Sequence, residues 1–85
     1  MEVKTFEAQY ELIEFNLYMD SSEDKDKITT IVDLVIKFDN IDFIKNELNN
    51  IFIVDNDNVS YVLSGYKVKE CYKIGDNLIR AICIK

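Results

Sequence analysis

The chain has no histidine, no tryptophan and no proline, and only two glycines and two cysteines in 85 residues. Each absence removes a class of chemistry. Without histidine there is no imidazole general base, no Ser–His or Cys–His nucleophile pair, and none of the commonest zinc ligand. Neither GxGxxG nor GxxxxGK[ST] occurs, so no phosphate cradle is encoded. With no proline and almost no glycine there is no composition for a linker, and a chain this short closes over one core, so residues 1–85 are expected to form a single domain. No apolar run approaches the roughly 18 residues that span a bilayer. The opening MEVKTFEAQYELIEF sets Glu2, Glu7, Glu11 and Glu14 among its apolar residues, unlike the apolar segment of a secretory signal. A cytoplasmic location is expected. Without such a signal, Asn58-Val59-Ser60 carries little weight as a glycosylation acceptor.

What the chain does have is acid and apolar surface. Sixteen Asp and Glu against ten Lys and Arg give a formal charge of −6 and a pI near 4.5, which opposes attraction to phosphate backbones and anionic membranes. Lys67, Lys69 and Lys73 alternate along one segment, but Glu70 interrupts them, and they read as a solvated strand face. A hydrophobic fraction of 48% is that of a folded protein. Cys71 and Cys83 lie in apolar or alternating runs without CxxC spacing and read as buried free thiols. A hairpin over 67–84 would bring them close, which leaves a disulfide as the alternative.

The N-terminal third supports two periodicities. Val3, Phe6, Tyr10, Ile13 and Leu17 recur at spacings of three and four, as on a helix. The same region alternates as Phe6, Ala8, Tyr10, Leu12 and then, after a change of parity, Ile13, Phe15, Leu17, Met19. A strand with a bulge gives that pattern, because one extra residue moves every later side chain to the other face. Strand is favoured for 8–19, since ITTIVDLVIKF at 28–38 is rich in β-branched residues and supplies a partner across the polar connector 21–27. Residues 1–7 are left as a lead-in, a separate strand or one helical turn.

DNIDFIKNELNN at 39–50 reads as the helix: Asp39 or Asn40 caps it, Asp42 sits in its first turn, and Ile41, Ile44, Leu48 and Ile51 share a side. Four strands follow, at 51–54, 59–63, 66–74 and 78–84, the last two joined by a tight turn at Gly75-Asp76-Asn77. The expected fold is α+β, a twisted, mainly antiparallel sheet of five to six strands with one helix packed on it, in the order ββαββββ.

Few groups are left to carry chemistry. Asp55, Asn56, Asp57 and Asn58 lie between two apolar runs, but a calcium loop begun at Asp55 would place Val59, Ser60 and Tyr66 where an oxygen ligand, a glycine and a bidentate glutamate are needed. They read as a four-residue hairpin loop. Asp20, Glu23, Asp24 and Asp26 read as a solvated connector already offset by Lys25 and Lys27. Carboxylate pairs are conceivable, Glu7 with Glu11 or Glu14 on a helix and Glu11 with Asp33 across the first hairpin, but they need a deep pocket to separate their pKa values and read instead as a wet face. No enzyme activity, cofactor or metal is expected.

The tyrosines Tyr10, Tyr18, Tyr61, Tyr66 and Tyr72 all fall on expected strands, and tyrosine covers apolar surface while keeping its hydroxyl wet. Tyr66 and Tyr72 share parity with Val68 and Ile74, which predicts a stripe on one face. The last strand is apolar on both sides, Leu78, Ile82 and Ile84 on one and Ile79, Ala81 and Cys83 on the other, with Arg80 the one charge inside it. Such a strand is central or is covered by something else. Partner contacts are therefore assigned to Tyr61, Tyr66, Tyr72 and Arg80.

In composition the chain is similar to small bacteriophage and mobile-element proteins of AT-rich bacteria, though no motif carries that likeness further. The expected function is a small non-enzymatic interaction module, of the kind a phage uses as an accessory or assembly protein. It would bind a protein partner or a second copy through a sheet edge or a tyrosine-bearing face, with no direct nucleic-acid or membrane contact. The alternative is an acidic inhibitor whose carboxylates stand in for phosphates, as a nucleic-acid mimic does in anti-CRISPR fashion, in the groove of a host enzyme.

Overall fold

The computed structural model describes residues 1–21 and 28–85. Most of the acidic connector, Glu23, Asp24 and Asp26, lies outside the described residues. The elements in chain order are β1 (Glu2–Lys4), β2 (Gln9–Ser21), β3 (Ile28–Lys37), α1 (Ile41–Leu48), β4 (Phe52–Asn56), β5 (Val59–Leu63), β6 (Lys67–Gly75) and β7 (Leu78–Ile84). All strands join one sheet in the order β5-β4-β1-β2-β3-β7-β6, with every neighbouring pair antiparallel. The α+β class with one helix is as expected. Among the described residues the expected five to six strands are seven, because Glu2–Lys4 inserts between β2 and β4 and pairs with both. Three residues are too few to show a period, which is why the sequence left this segment open.

The parity change in β2 is a bulge. Leu12 faces Ile36 and the next pair is Glu14 with Val35, so Ile13 is the extra residue. Before it Tyr10 and Leu12 point into the core, and after it Phe15 does, while Ile13 turns outward. A bulge also bends its strand and increases the local twist. The first part of β2 pairs with β1 and the second with β3, so the bend falls where the sheet changes partners.

How far the sheet curls follows from one contact. Phe15 on β2 and Tyr61 on β5 are three strands apart, about 14 Å on a flat sheet at the usual spacing. Their ring centroids are 5.3 Å apart in an edge-to-face arrangement. The β4–β5 hairpin must therefore fold back over β2. Between the two halves lies one core that joins Val3, Leu12 and Val54 to Leu34, Ile79 and Cys83.

The helix closes the end of this core. Asn40 caps it, its Oδ1 accepting from the Phe43 N–H at 3.1 Å, and Asp42 complements the positive end of the dipole. Ile44 and Leu48 are fully buried on the side that meets β6 and β7. Tyr10, Phe38 and Phe43 form a chain of rings, with centroids 4.9 and 6.0 Å apart, that ties the helix start to β2. Helix α1 spans 41–48, shorter at both ends than the expected 39–50, because Asn40 turns extended to act as the cap.

The β4–β5 and β6–β7 hairpins use two-residue turns. Asp57 and Asn58 both take positive φ, 46° and 70°, the requirement of the hairpin turn whose twist matches its strands. Asp55 and Asn56 belong to β4, so the expected four-residue loop is shorter by two. Asp76 and Asn77 close the last hairpin, with Asn77 at φ 59°.

Both cysteines are free: Cys83 lies in the core and Cys71 is half-buried beside Ala81. Burial, with the neighbouring Cys71 and Asp33 adding to it, pushes the Cys83 thiol up to about 12. An unfolded thiol ionises near 9, so above that pH the unfolded chain loses its proton first. Cys83 therefore contributes stability that is complete below about pH 9 and is lost as pH rises toward about 12. Thermal unfolding followed across this range should show a steeper alkaline decline for the native chain than for Cys83→Ala. Identical slopes would contradict this assignment.

Candidate docking face

The core lies on one side of β2, β3, β7 and β6, and among the described residues no layer covers the other side. The register sets the rows on that outer face. Tyr18, Ile31, Ile84 and Lys67 form one row, Asn16, Asp33, Ile82 and Glu70 the next, and Glu14, Val35, Arg80 and Tyr72 the third. Each row arises because alternate residues of an antiparallel strand project to the same side. Tyr18 is 48% exposed and Tyr72 42%, while Ile31, Ile82 and Ile84 are half-buried by their neighbours alone.

At the centre is an ion pair. Arg80 is cross-strand from Val35 and diagonal to Asp33. Its Nε donates to Asp33 Oδ1 at 3.0 Å and its Nη2 donates to Oδ2, a bidentate fork. The hydrogen bonds that Arg80 donates to Asp33, and then the charge of that carboxylate, hold Arg80 protonated even above its ordinary range. Asp33 is almost fully covered and Val35 is buried on this open face, so the Arg80 stem shields both from water. The pair cancels its own charge, and the middle of the face is locally neutral in an acidic chain.

Of the four residues assigned to partner contacts, the structure brings two together. Tyr72 and Arg80 are cross-strand neighbours on the outer face. Tyr61 faces the other way, packed against Phe15. Tyr66 is buried in the core, with the Lys85 ammonium 5.5 Å from its ring centroid. The expected Tyr66–Tyr72 stripe does not form, because the register slips between Val68 and Glu70 and again between Lys73 and Gly75. The first slip makes Lys69 an extra residue and sends Tyr72 to the face opposite Val68. Tyr18 and Ile31 belong to the face and were not assigned to it. Their signal was the parity of β2 and β3 after the bulge.

The same geometry answers the edge and catalytic expectations. Edge strand β6 carries both bulges and three lysines, and its Val68 N–H is taken by Asn49 Oδ1 at 2.9 Å, so this rim is blunted against strand addition. Glu11 and Asp33 do not meet: Asp33 is opposite Asn16, and Glu11 lies 3.7 Å from Lys37. Glu7, Glu11 and Glu14 share no helix, since β2 runs through the last two. Among the described residues no three His, Cys, Asp or Glu gather as a metal site, and no helix is long and apolar enough to cross a membrane. The carboxylates of Glu11, Asp33 and Asp55 each sit beside a cation.

No family model, curated protein or solved structure matches the chain significantly.

The ion pair is half-sheltered, so removing one partner and removing both have different consequences. Arg80→Met leaves the Asp33 carboxylate covered and unpaired, and should lower the urea midpoint. The double replacement Asp33→Leu with Arg80→Met should recover most of that loss. A double variant as unstable as the single one would show that the charge pair is not what holds this face.

Proposed function

We propose that the chain is a non-enzymatic interaction module that docks a protein partner on the outer face of β2, β3, β7 and β6. The observation that carries this reading is the uncovered face itself: two exposed tyrosines and three half-buried isoleucines surround an internally neutralised Asp33–Arg80 pair. A contiguous apolar patch with a polar rim marks an interaction surface, and tyrosine and arginine are enriched where such surfaces carry binding energy. Glu14, Glu70 and Lys67 supply the rim.

Size favours a transient contact over an obligate one. Four strands about 4.8 Å apart and some seven residues long make a face of about 400 Å², half the usual share of one partner in a stable complex. An accessory or assembly role, in which the module joins and leaves a larger complex, agrees with that area. Strand addition at β6 is the weaker route, given its bulges.

The test is affinity capture from the native host with the native chain, with a double variant Tyr72→Arg and Ile82→Arg, and with Val62→Arg, which alters exposed surface on β5 instead. One protein species should be recovered with the native chain and with Val62→Arg and lost with the double variant. Equal recovery by all three would remove this face from the function.

A further inference from the structure

A second site lies where the end of helix α1 meets the turn between β1 and β2. Phe6, Glu7, Asn46, Glu47, Asn50 and Ile51 line a cavity of about 460 Å³, open to solvent. It shares no residue with the docking face. Thr5 shapes the turn that brings Phe6 and Glu7 here, its N–H donating to the Ala8 carbonyl at 2.8 Å and its hydroxyl exchanging bonds with Ala8.

Glu47 breaks three local rules at this place. It lies on the buried side of α1 with Ile44 and Leu48 and is only 4% exposed. It sits in the last helical turn, where the dipole's negative end disfavours a carboxylate. And it has no partner: the ion pairs among the described residues are Lys4–Asp55, Lys37–Glu11 and Arg80–Asp33, and no side chain donates to Glu47. Lys45, two residues away, projects from a different side of the helix. Its carboxylate oxygens are not fully enclosed, so this otherwise covered residue meets solvent through the cavity it lines.

Tyr10 lies within electrostatic reach of Glu47. Tyr10 is 7% exposed, and its hydroxyl is the one buried side-chain polar atom among the described residues with no hydrogen-bond partner. Burial first, and then the charge of Glu47, raise the pKa of this phenol, which places the two groups within electrostatic reach. The Thr5 hydroxyl, which bonds to Ala8, also lies close enough to act on this phenol as a hydrogen-bond partner, in the lowering direction. Lining the cavity with Glu47 are the Asn46 and Asn50 side chains, the Glu7 carboxylate and two exposed apolar surfaces, Ile51 and the ring of Phe6 at 93% exposure.

We infer that this cavity binds a primary ammonium group on an unbranched apolar stem, as on a lysine side chain or an alkylamine, with Glu47 as its counter-ion. The ammonium has three donors and no acceptor, and among the described residues the Glu47 and Glu7 carboxylates that line the cavity take part in no ion pair and accept no side-chain hydrogen bond. Phe6 offers a ring face to the cation or its stem, and Ile51 completes the apolar walls. Asn50 is held in place, its Nδ2 donating to the Asn46 carbonyl at 3.0 Å, which leaves its Oδ1 free to accept.

Titration of the ¹⁵N-labelled chain with n-butylammonium, with Nα-acetyl-lysine N-methylamide and with the Nε-acetylated form of the latter tests this directly. Saturable shifts are expected at the amides of Phe6, Glu7, Glu47, Asn50 and Ile51 with both cations, and none with the neutral form. Tighter binding of the lysine derivative points to a protein chain as the source, and equal binding points to a small amine; either supports the site. Glu47→Gln, its dispersed spectrum showing that it folds, should weaken binding at least tenfold. Equal shifts from the acetylated compound, unchanged binding by Glu47→Gln, or shifts confined to the face around Tyr18 and Tyr72 would each overturn the assignment. Because the neutral control uses the native chain, the result holds even if the variant is unstable.

Discussion

The extra residue at Ile13 is the constraint on which the architecture rests. A regular β2 would keep even-numbered residues inward throughout and place Glu14 and Asn16 in the core. With Ile13 inserted, Tyr10 and Leu12 point inward before it and Phe15 after it, and the strand bends where its partner changes from β1 to β3. The bend lets the β4–β5 hairpin cover β2, and so a chain of 85 residues with one short helix obtains a core closed on two sides. For a domain of this size, which buries only about 60% of its unfolded surface, folding the sheet on itself replaces the second layer that a larger protein builds from helices.

That solution leaves a remainder. Helix α1 caps the end of the core by β6 and β7, and the hairpin covers β2, but among the described residues none forms a layer over the outer side of β2, β3, β7 and β6. The chain limits the exposure there with its own chemistry: Arg80 spreads over Val35 and Asp33, and the isoleucines shield one another. The β6 edge is protected by its bulges, by lysines and by Asn49. A blunted β6 edge beside an open, tyrosine-edged face is the arrangement on which the proposed docking mode rests.

Much of this was legible in the sequence because it rests on local patterns. The helix, its Asn40 cap, six of the strands, the turn at 75–77 and the parity change in β2 all follow from spacing and turn chemistry within a dozen residues. The β1 strand did not, since its pairing with β2 and β4 is long-range and its three residues carry no period. The tyrosine stripe failed at Lys69, where a polar bulge residue in a polar run leaves no trace in the alternation. Asp33 appeared as half of a carboxylate pair because the sequence cannot give register; the bulge in β2 and the pairing of β3 with β7 put Arg80 beside it. The isolation of Glu47 was hidden for the same reason, since its position on the inner side of α1 reads as one polar residue in an amphipathic helix until the β1–β2 turn is placed against it.

The curl of the sheet is tested most directly by a double-mutant cycle on Phe15 and Tyr61, measured by urea unfolding of the native chain, Phe15→Ala, Tyr61→Ala and the combination. Edge-to-face rings in contact should give a coupling of about 0.5–1.5 kcal/mol. Strictly additive losses would mean that β5 does not lie over β2, and that the sheet opens flat with its core unshared.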